Sequence, residues 1–527
     1  MTRISHIESR QHVPEDYPRF ESLVHMLKVA VDEGADTTAI VCGDQSIDYR
    51  DMGAAVAGLA TKLQATGSAD SRVIILIPSS IETVVAVFAA MAAHAQAAPL
   101  NPYYTEREIS TALKDIDAST VLCVESTRDL AQSVALARGA ANVINLDSEG
   151  WTLKDLVSLA PDGLQADHLP TADEPALMLM TGGTTGVPKG VNHRHRGLVW
   201  STLLHCAVWP VNVGKEVLLN VAPLFHIWGL GFGVLVTIFS RGTFVLVPRY
   251  DPDDVLNAIS DQHVTIFGGG PAPIYAGLLG SDTARQTDFS SLHYCLSGGA
   301  PCPEDLHHRW LETTGCPIFE GWGMSEGAPF CVNPASGMRK LLSVGPPVPE
   351  TTVEIVDLES GDTVLPLGES GEVRVKGPQV MDGYCNNPEE TALALRDGWL
   401  HTGDIGYFDD DGYLHLVDRK KDMVIVGGYN VYPREIDELL CLHPAIREAT
   451  AVSRPDARLG EVLVAFVVLQ RGESLSEEEC LEYCRTNLVK YKRPVAIHFI
   501  DALPRTAANK IDKVALRKSA AELGAQT

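Results

Sequence analysis

From residue 72 the chain repeats one arrangement: a short apolar run of strand length, a helical stretch, then another apolar run. RVIILIP gives way to the alanine-rich IETVVAVFAAMAAHA and then to AAPL, with STVLCV (119–124) and NVINL (142–146) following. A second set comes later: EVLLNVAP, a helix, TFVLVP, a helix from Pro252, and VTIFGG. Apolar strands alternating with helices predict parallel sheets in an α/β fold. From about residue 344 the rhythm changes to closely spaced strands and turns, TVEIVD, GEVRVKG and DGYLHLVD, which predicts a smaller β-rich module. The end of the chain reads as a compact α+β unit: MVIV, a helix from Pro433, EATAV, VLVAFVVL, a helix near 477–488 and AIHFI. Ser476 followed three residues later by Glu479 is a capping box for that second helix. The charged run DRKKD (418–422) marks a boundary between a large part, 1–418, and a small part, 422–527.

The 527 residues, 45% of them hydrophobic, suffice for more than one domain with large cores. The formal net charge of -26 excludes nucleic acid as a partner, because such a surface repels it. A site for an anionic ligand must then be locally positive against the overall field. The 11 cysteines lack a C-x-x-C pair, and Cys480 and Cys484 lie one turn apart in a helix; free thiols in a reducing cytoplasm are the expectation. The N-terminal stretch has no apolar core of a secretory signal, and the C-terminal GAQT is no targeting tag. Leu218 to Phe239 is long enough to span a bilayer, but it contains Asn220, Pro223, His226 and glycines and shows no basic bias between its flanks. It is expected to be a buried core segment, with peripheral membrane contact and a homodimer left open.

The run TGGTTGVPKG, 181–190, follows the apolar strand ALMLM (176–180). Glycines let a backbone approach an anion, hydroxyls and amides donate to it, and Lys189 adds charge. It is not a Walker loop, since Pro188 precedes the lysine and Gly190 follows it, and it is not a G-x-G-x-x-G turn. The bland alternative is a surface turn with a stray lysine.

With what lies downstream, the run resembles the acyl-adenylate-forming superfamily of acyl-CoA synthetases, peptide-synthetase adenylation domains and firefly luciferase. The resemblance covers nearly the whole chain. The loop 181–190 is similar to the family's Thr/Ser/Gly-rich motif. PLFH (223–226), SGGAP (297–301), GWGMSEG (321–327), WLHTGDIG (399–406), VDRKKD (417–422), GGYNVYPREID (427–437) and PRTAANKID (504–512) match further motifs in the family's order. The wording is most similar to bacterial fatty-acyl-CoA synthetases. Trp322 stands where the family usually has tyrosine, Ser325 where it has threonine, and Gly182 where many members have serine.

The resemblance implies a large α/β adenylate-forming domain, a β-rich module and a small mobile C-terminal domain. It implies a carboxylate attacking the α-phosphate of ATP to give acyl-AMP and pyrophosphate, and a thiol then attacking the mixed anhydride. Thr181, Gly182, Gly183, Thr184, Thr185 and Lys189 would grip the departing phosphates. Gly299, Ala300 and Pro301, with Glu320, Gly321, Trp322, Gly323, Met324 and Ser325, would bind the adenylate, and Trp322 would stack on adenine. Glu326 would hold Mg²⁺. Asp404 would accept from the ribose, with Arg419 beside it. Lys510 would bridge the α-phosphate and the attacking carboxylate. Lys421 would be the pivot of the C-terminal domain. Gly427, Gly428 and Tyr429 would form the pantetheine tunnel for CoA, with Tyr491 stacking and Arg493 pairing with phosphate. His226 would sit at the mouth of the acyl pocket and take part in catalysis. His193, His195, His307 and His308 are expected at the surface.

Trp228, Phe232, Gly299 and Ala328 would line the acyl pocket. The stretches around them are apolar and lack a placed Lys, Arg or Asp, which suits an uncharged tail and disfavours amino acids. A medium- or long-chain fatty acid leads, with short, branched, aromatic, alicyclic or sulfur-bearing acids open. The expected activity is an acid:CoA ligase. The alternatives are transfer to a carrier protein or arrest at acyl-AMP, a non-catalytic binder, and a luciferase-like oxygenase. That no carrier domain follows residue 527 weighs against a peptide-synthetase module.

Overall fold

The computed structural model describes residues 4–9, 11–114, 116–181, 188–300, 302–427, 429–456, 458–506 and 511–524. Two large, mostly parallel sheets carry the N-terminal domain. In the first, the strands run in the spatial order Gly327–Val332, Ile318–Met324, Tyr294–Ser297, Ile266–Gly268, Val217–Asn220, Thr243–Leu246, Thr38–Cys42 and Gln45–Asp48. All neighbours are parallel except at the two ends, where Gly327–Val332 and Gln45–Asp48 fold back antiparallel. The second sheet orders Gly383–Tyr384, Gly190–Arg194, Pro175–Met180, Gln96–Pro99, Arg72–Leu76, Thr120–Cys123 and Asn142–Asn145. Val73 to Leu76 are fully buried, as a central parallel strand covered on both faces must be.

The helix Ile81–Ala92 explains how the sheets hold together. Ser80 caps it by accepting from Thr83 N, and every residue of it except Glu82 is buried. A helix apolar all round belongs inside a protein. This one packs against strands of both sheets and joins them in one apolar core. The two sets of carboxyl ends meet: Ser79, beyond Arg72–Leu76, accepts at Oγ from Leu224 N, beyond Val217–Asn220.

The long apolar stretch 218–239 ends a strand, turns, and enters a π-helix, Trp228–Leu235, followed by the short helix Val236–Ser240. At Gly229 a Cβ would lie 2.3 Å from Pro223 O and 2.5 Å from Ala222 O, so only glycine lets the helix start so close to the strand's exit. Among the described residues no helix is long and apolar enough to cross a membrane.

A six-stranded module follows, built on Thr352–Val356, Gly371–Lys376, Trp399–Phe408 and Leu414–Arg419. His6–Glu8 joins its edge antiparallel to Thr352–Val356, a strand with no local signal in the sequence. The small C-terminal domain has a five-stranded sheet in which Ile446–Asp456 and Gly460–Leu469 form a long hairpin, with Ala496–Phe499 parallel to the latter. The helix Glu477–Asn487 carries the capping box of Ser476 and Glu479. It buries Cys480 and Cys484 against the sheet. No disulfide joins any of the 11 cysteines.

Candidate active site

The site gathers at the carboxyl ends of parallel strands, where open α/β sheets place their ligands. Pro175–Met180 and Gly190–Arg194 form a hairpin whose loop is closed by Thr181 and Lys189: Thr181 N donates to Lys189 O at 2.9 Å, and Lys189 N to Thr181 Oγ1 at 3.0 Å. Gly182, Gly183, Thr184 and Thr185 lie outside the described residues. The Lys189 Nζ sits 2.5 Å from Glu390 Oε2 and 4.9 Å from the centre of the Tyr384 ring.

Glu326 turns the chain between Ile318–Met324 and Gly327–Val332 and is buried. The Tyr384 hydroxyl donates to its Oε1 at 2.8 Å. Burial first, then the nearby Glu326 charge, push the Tyr384 phenol far above its ordinary pKa, so it stays a donor. The neighbouring Ser325 carbonyl lies 2.8 Å from His193 Nε2.

Asp404 is buried with both oxygens engaged. The Trp322 indole donates to Oδ2 at 2.8 Å, and Arg419 Nε lies 2.6 Å from Oδ1. The indole of Trp322 is 8% exposed and packs on Phe330 at 5.3 Å. The charge of Asp404 chiefly, with Glu326 adding to it, holds the Arg419 pKa above the usual arginine value against burial. Lys189, Glu326, Asp404 and Arg419, from separate stretches of sequence, thus converge around Tyr384 and Trp322.

Gly299 follows Tyr294–Ser297 with φ +80° and open space where a Cβ would stand; Ala300 is exposed, and Pro301 lies outside the described residues. Glu320 faces inward beneath this loop. Its carboxylate accepts from Cys302 N at 3.2 Å and lies 3.0 Å from His307 Nε2, tying the loop to the helix Glu304–Thr314. Gly321 and Gly323 permit close packing, since a Cβ would meet Trp209 and Ala328 respectively at 2.7 Å. Met324 is half-buried beside them.

Trp228 is half-buried, stacks on Phe232 at 5.1 Å and 28°, and donates from Nε1 to Gly268 O at 3.3 Å. Phe232 lies behind this indole in the core, edge-on to Trp209. Gly298 would bring a Cβ within 3.4 Å of the same indole, and Ala328 packs on Gly323. His226 Nδ1 accepts from Trp228 N at 3.2 Å. Beside it opens a cavity of about 370 Å³ lined by Ser79, Asn101, Tyr103, Tyr104, Pro223 and Phe225 among others; the PLFH motif supplies Pro223 and Phe225, while the residues from 79 and 101–104 lie in no motif.

On the C-terminal domain Gly427 adopts φ +57°, and the rings of Tyr429 and Tyr491 stack at 4.4 Å and 12°. Gly428 lies outside the described residues. Arg493 gives Nε to Leu488 O at 2.8 Å and Nη2 to Arg485 O at 2.9 Å, satisfying carbonyls at the end of Glu477–Asn487. Burial, with Arg419 nearby, pulls the Lys421 ammonium down to about 8. Lys510 lies outside the described residues. The chain on either side of it is held together by a bridge from Arg505 to Ile511 and by Asp512 N donating to Pro504 O at 2.8 Å.

Three of the four histidines expected at the surface are not there. His193, His195 and His307 are buried, for a strand and two helices turn them inward to backbone or carboxylate partners; His308 alone is exposed. Tyr384 and Glu390 are not marked by any motif because they fall between motifs. The helix start at Asn387–Pro388 is the available signal, since Asn387 caps Pro388–Ala394.

Residues 27–385 match the model of the AMP-binding enzyme family, and residues 435–510 match that of the AMP-binding enzyme C-terminal domain. A long-chain-fatty-acid–CoA ligase of Bacillus subtilis is 35% identical over 509 residues, 90% of each chain. A feruloyl-CoA synthase of an Amycolatopsis species is 37% identical over 488 residues, 91% of this chain and 95% of its own. The structure of MatB from Rhodopseudomonas palustris with ATP bound superposes with a TM-score of 0.87 at 32% identity, over 95% of this chain and 99% of that one. Motif order and fold agree with these likenesses, and the chain belongs to the AMP-binding enzymes as an AMP-forming acyl-CoA synthetase.

Proposed function

We propose that the chain joins an apolar carboxylic acid to CoA through an acyl-AMP. ATP and CoA are substrates of this enzyme family. The observation that carries the reading is the convergence of Lys189, Glu326, Asp404 and Arg419 where the carboxyl ends of the sheets meet the β-rich module. Cations so placed can meet the negative charge of a triphosphate, and a buried carboxylate beside them can accept from the hydroxyls of a ribose. Lys189 and the loop at 181–185 would take the β- and γ-phosphates. Asp404 would accept from the ribose, and Gly299 and Ala300 would flank the adenine. Lys510 would stabilise charge as the acid's oxygen attacks the α-phosphorus and pyrophosphate leaves. The CoA sulfur would then attack the acyl carbon, and AMP would leave.

Among the described residues no cluster of three or more His, Cys, Asp or Glu could hold a metal unaided. Glu326 is a buried hard-oxygen donor, which fits magnesium carried in on a nucleotide, because that ion takes one or two carboxylates beside phosphates. Bound there, it would neutralise phosphate charge.

For the acid, the indole of Trp228 and the glycines at 268 and 298 offer an apolar wall. A medium- or long-chain fatty acid leads this reading. The relatives named for long-chain fatty acids and for ferulate support an apolar acid and leave its length to experiment. The test is AMP release with ATP and Mg²⁺, with and without CoA, across propionate to palmitate, benzoate, cyclohexanecarboxylate and a thioether acid. CoA-dependent turnover of one group names the substrate. Equal AMP formation without CoA would assign another acceptor.

A further inference from the structure

Lys189 already has a carboxylate. Its Nζ is 2.5 Å from Glu390 Oε2, and the two side chains are 24% and 43% exposed, so a solute can reach the pair. Glu390 is not a stray surface acid. Gly383–Tyr384 pairs antiparallel with Val191 and Asn192, in the strand that follows Lys189, and Cys385 N donates to Gly190 O at 2.7 Å. Asn387 Oδ1 accepts from Glu390 N at 3.1 Å at the start of the helix Pro388–Ala394. Thr391 Oγ1 accepts from Tyr384 N at 2.9 Å and donates to Asn387 O at 2.8 Å. The segment that carries Glu390 is therefore stitched to the strand leaving Lys189, and its Tyr384 reaches Glu326 on the first sheet.

We propose that Glu390 is a resident counter-ion for Lys189: it neutralises the lysine between turnovers, competes with the triphosphate for it, and reclaims it as pyrophosphate leaves. This rests on the reading that Lys189 meets the β- and γ-phosphates. The physical argument is one of release. A polyanion bound to a bare, partly desolvated lysine dissociates slowly, and a tethered carboxylate supplies the lysine's charge with a substitute partner. An ion pair this exposed costs the incoming anion little, about two- to fivefold in affinity. AMP, which lacks the outer phosphates, should not feel it.

The experiment is equilibrium titration of the full chain, with Mg²⁺ present, by ATP, pyrophosphate and AMP. It compares the unaltered protein with Glu390→Gln, Glu390→Ala, Lys189→Ala and the double variant Lys189→Ala/Glu390→Gln. Both Glu390 variants should bind ATP and pyrophosphate about two- to fivefold more tightly, with AMP unchanged. Pyrophosphate should inhibit them at correspondingly lower concentration, and in the double variant the gain should vanish. If the Glu390 variants bind ATP and pyrophosphate no more tightly while Lys189→Ala binds them less tightly, the counter-ion role is overturned and the role of Lys189 stands. If Lys189→Ala binds ATP as well as the unaltered protein does, the reading of Lys189 fails and the counter-ion falls with it.

Discussion

Asp404 shows how much a single residue in this site depends on its neighbours. It is a buried carboxylate whose oxygens are met by an indole N–H and a guanidinium. Removing one donor leaves a buried charge short of a partner, which costs about 1–3 kcal/mol. Trp322→Phe should therefore lower the unfolding midpoint of the protein and raise KM for ATP more than it lowers kcat. An unchanged midpoint would mean that Arg419 alone satisfies Asp404. Lys510 poses a different question, since its proposed role belongs to one half-reaction. Lys510→Ala should slow acyl-AMP formation by about 10²–10³-fold, the usual effect of removing a group that stabilises developing charge. Thioester formation from supplied acyl-AMP should stay near the unaltered rate. Equal loss in both half-reactions would refute the assignment.

At the scale of elements, the helix Glu477–Asn487 is specified by its own sequence. Ser476 and Glu479 exchange side-chain to backbone bonds, with Glu479 N donating to Ser476 Oγ at 3.3 Å and Ser476 N to Glu479 Oε2 at 2.9 Å. Ser476→Ala should destabilise the C-terminal domain by about 1 kcal/mol, read as faster amide exchange in that helix and its sheet, while the N-terminal sheets keep their protection. This cap is legible in the sequence because its bonds span three residues. The parallel strands are legible for a similar reason: their apolar runs alternate with helical patterns along the chain. His6–Glu8 is not, because its only reason to be extended is the partner edge at 352–354. The same holds at the site. Motif residues can be placed by their order, but Glu390 meets Lys189 from 201 positions away and Tyr384 meets Glu326 from 58 away, contacts that no local pattern encodes. The burial of His193 and His307 is likewise hidden from the sequence, because a histidine's exposure depends on which way its element faces.

At the scale of the whole molecule, the question is what holds the link between the large and small parts. Lys420 stands next to the proposed pivot, Lys421, and its Nζ donates to Glu372 Oε2 at 2.9 Å. Glu372 sits inside the β-rich module with His401 at 3.8 Å and Arg396 at 3.9 Å. Burial alone would raise its pKa, but the nearby His401 and the bond and charge of Lys420 prevail and hold it at about 2. A carboxylate with a folded pKa below its unfolded value stabilises the fold above the unfolded pKa, and loses that contribution as pH falls toward the folded one. For Glu372 the window runs from about 4.3, the ordinary glutamate value, down to about 2. Glu372→Gln should thus lower the unfolding midpoint at pH 7, by a contribution on the order of 1–2 kcal/mol after solvent screening. The difference from the unaltered protein should shrink as the pH is brought from 4 toward 3. The same substitution frees Lys420 from the module, so native-state trypsin cleavage at 419–421 should quicken at pH 7 while cleavage elsewhere holds its rate. If cleavage there keeps its original rate, the link is held instead by Lys420 N on Gly403 O and by Arg517 on Asp422, and Glu372 stabilises the module alone.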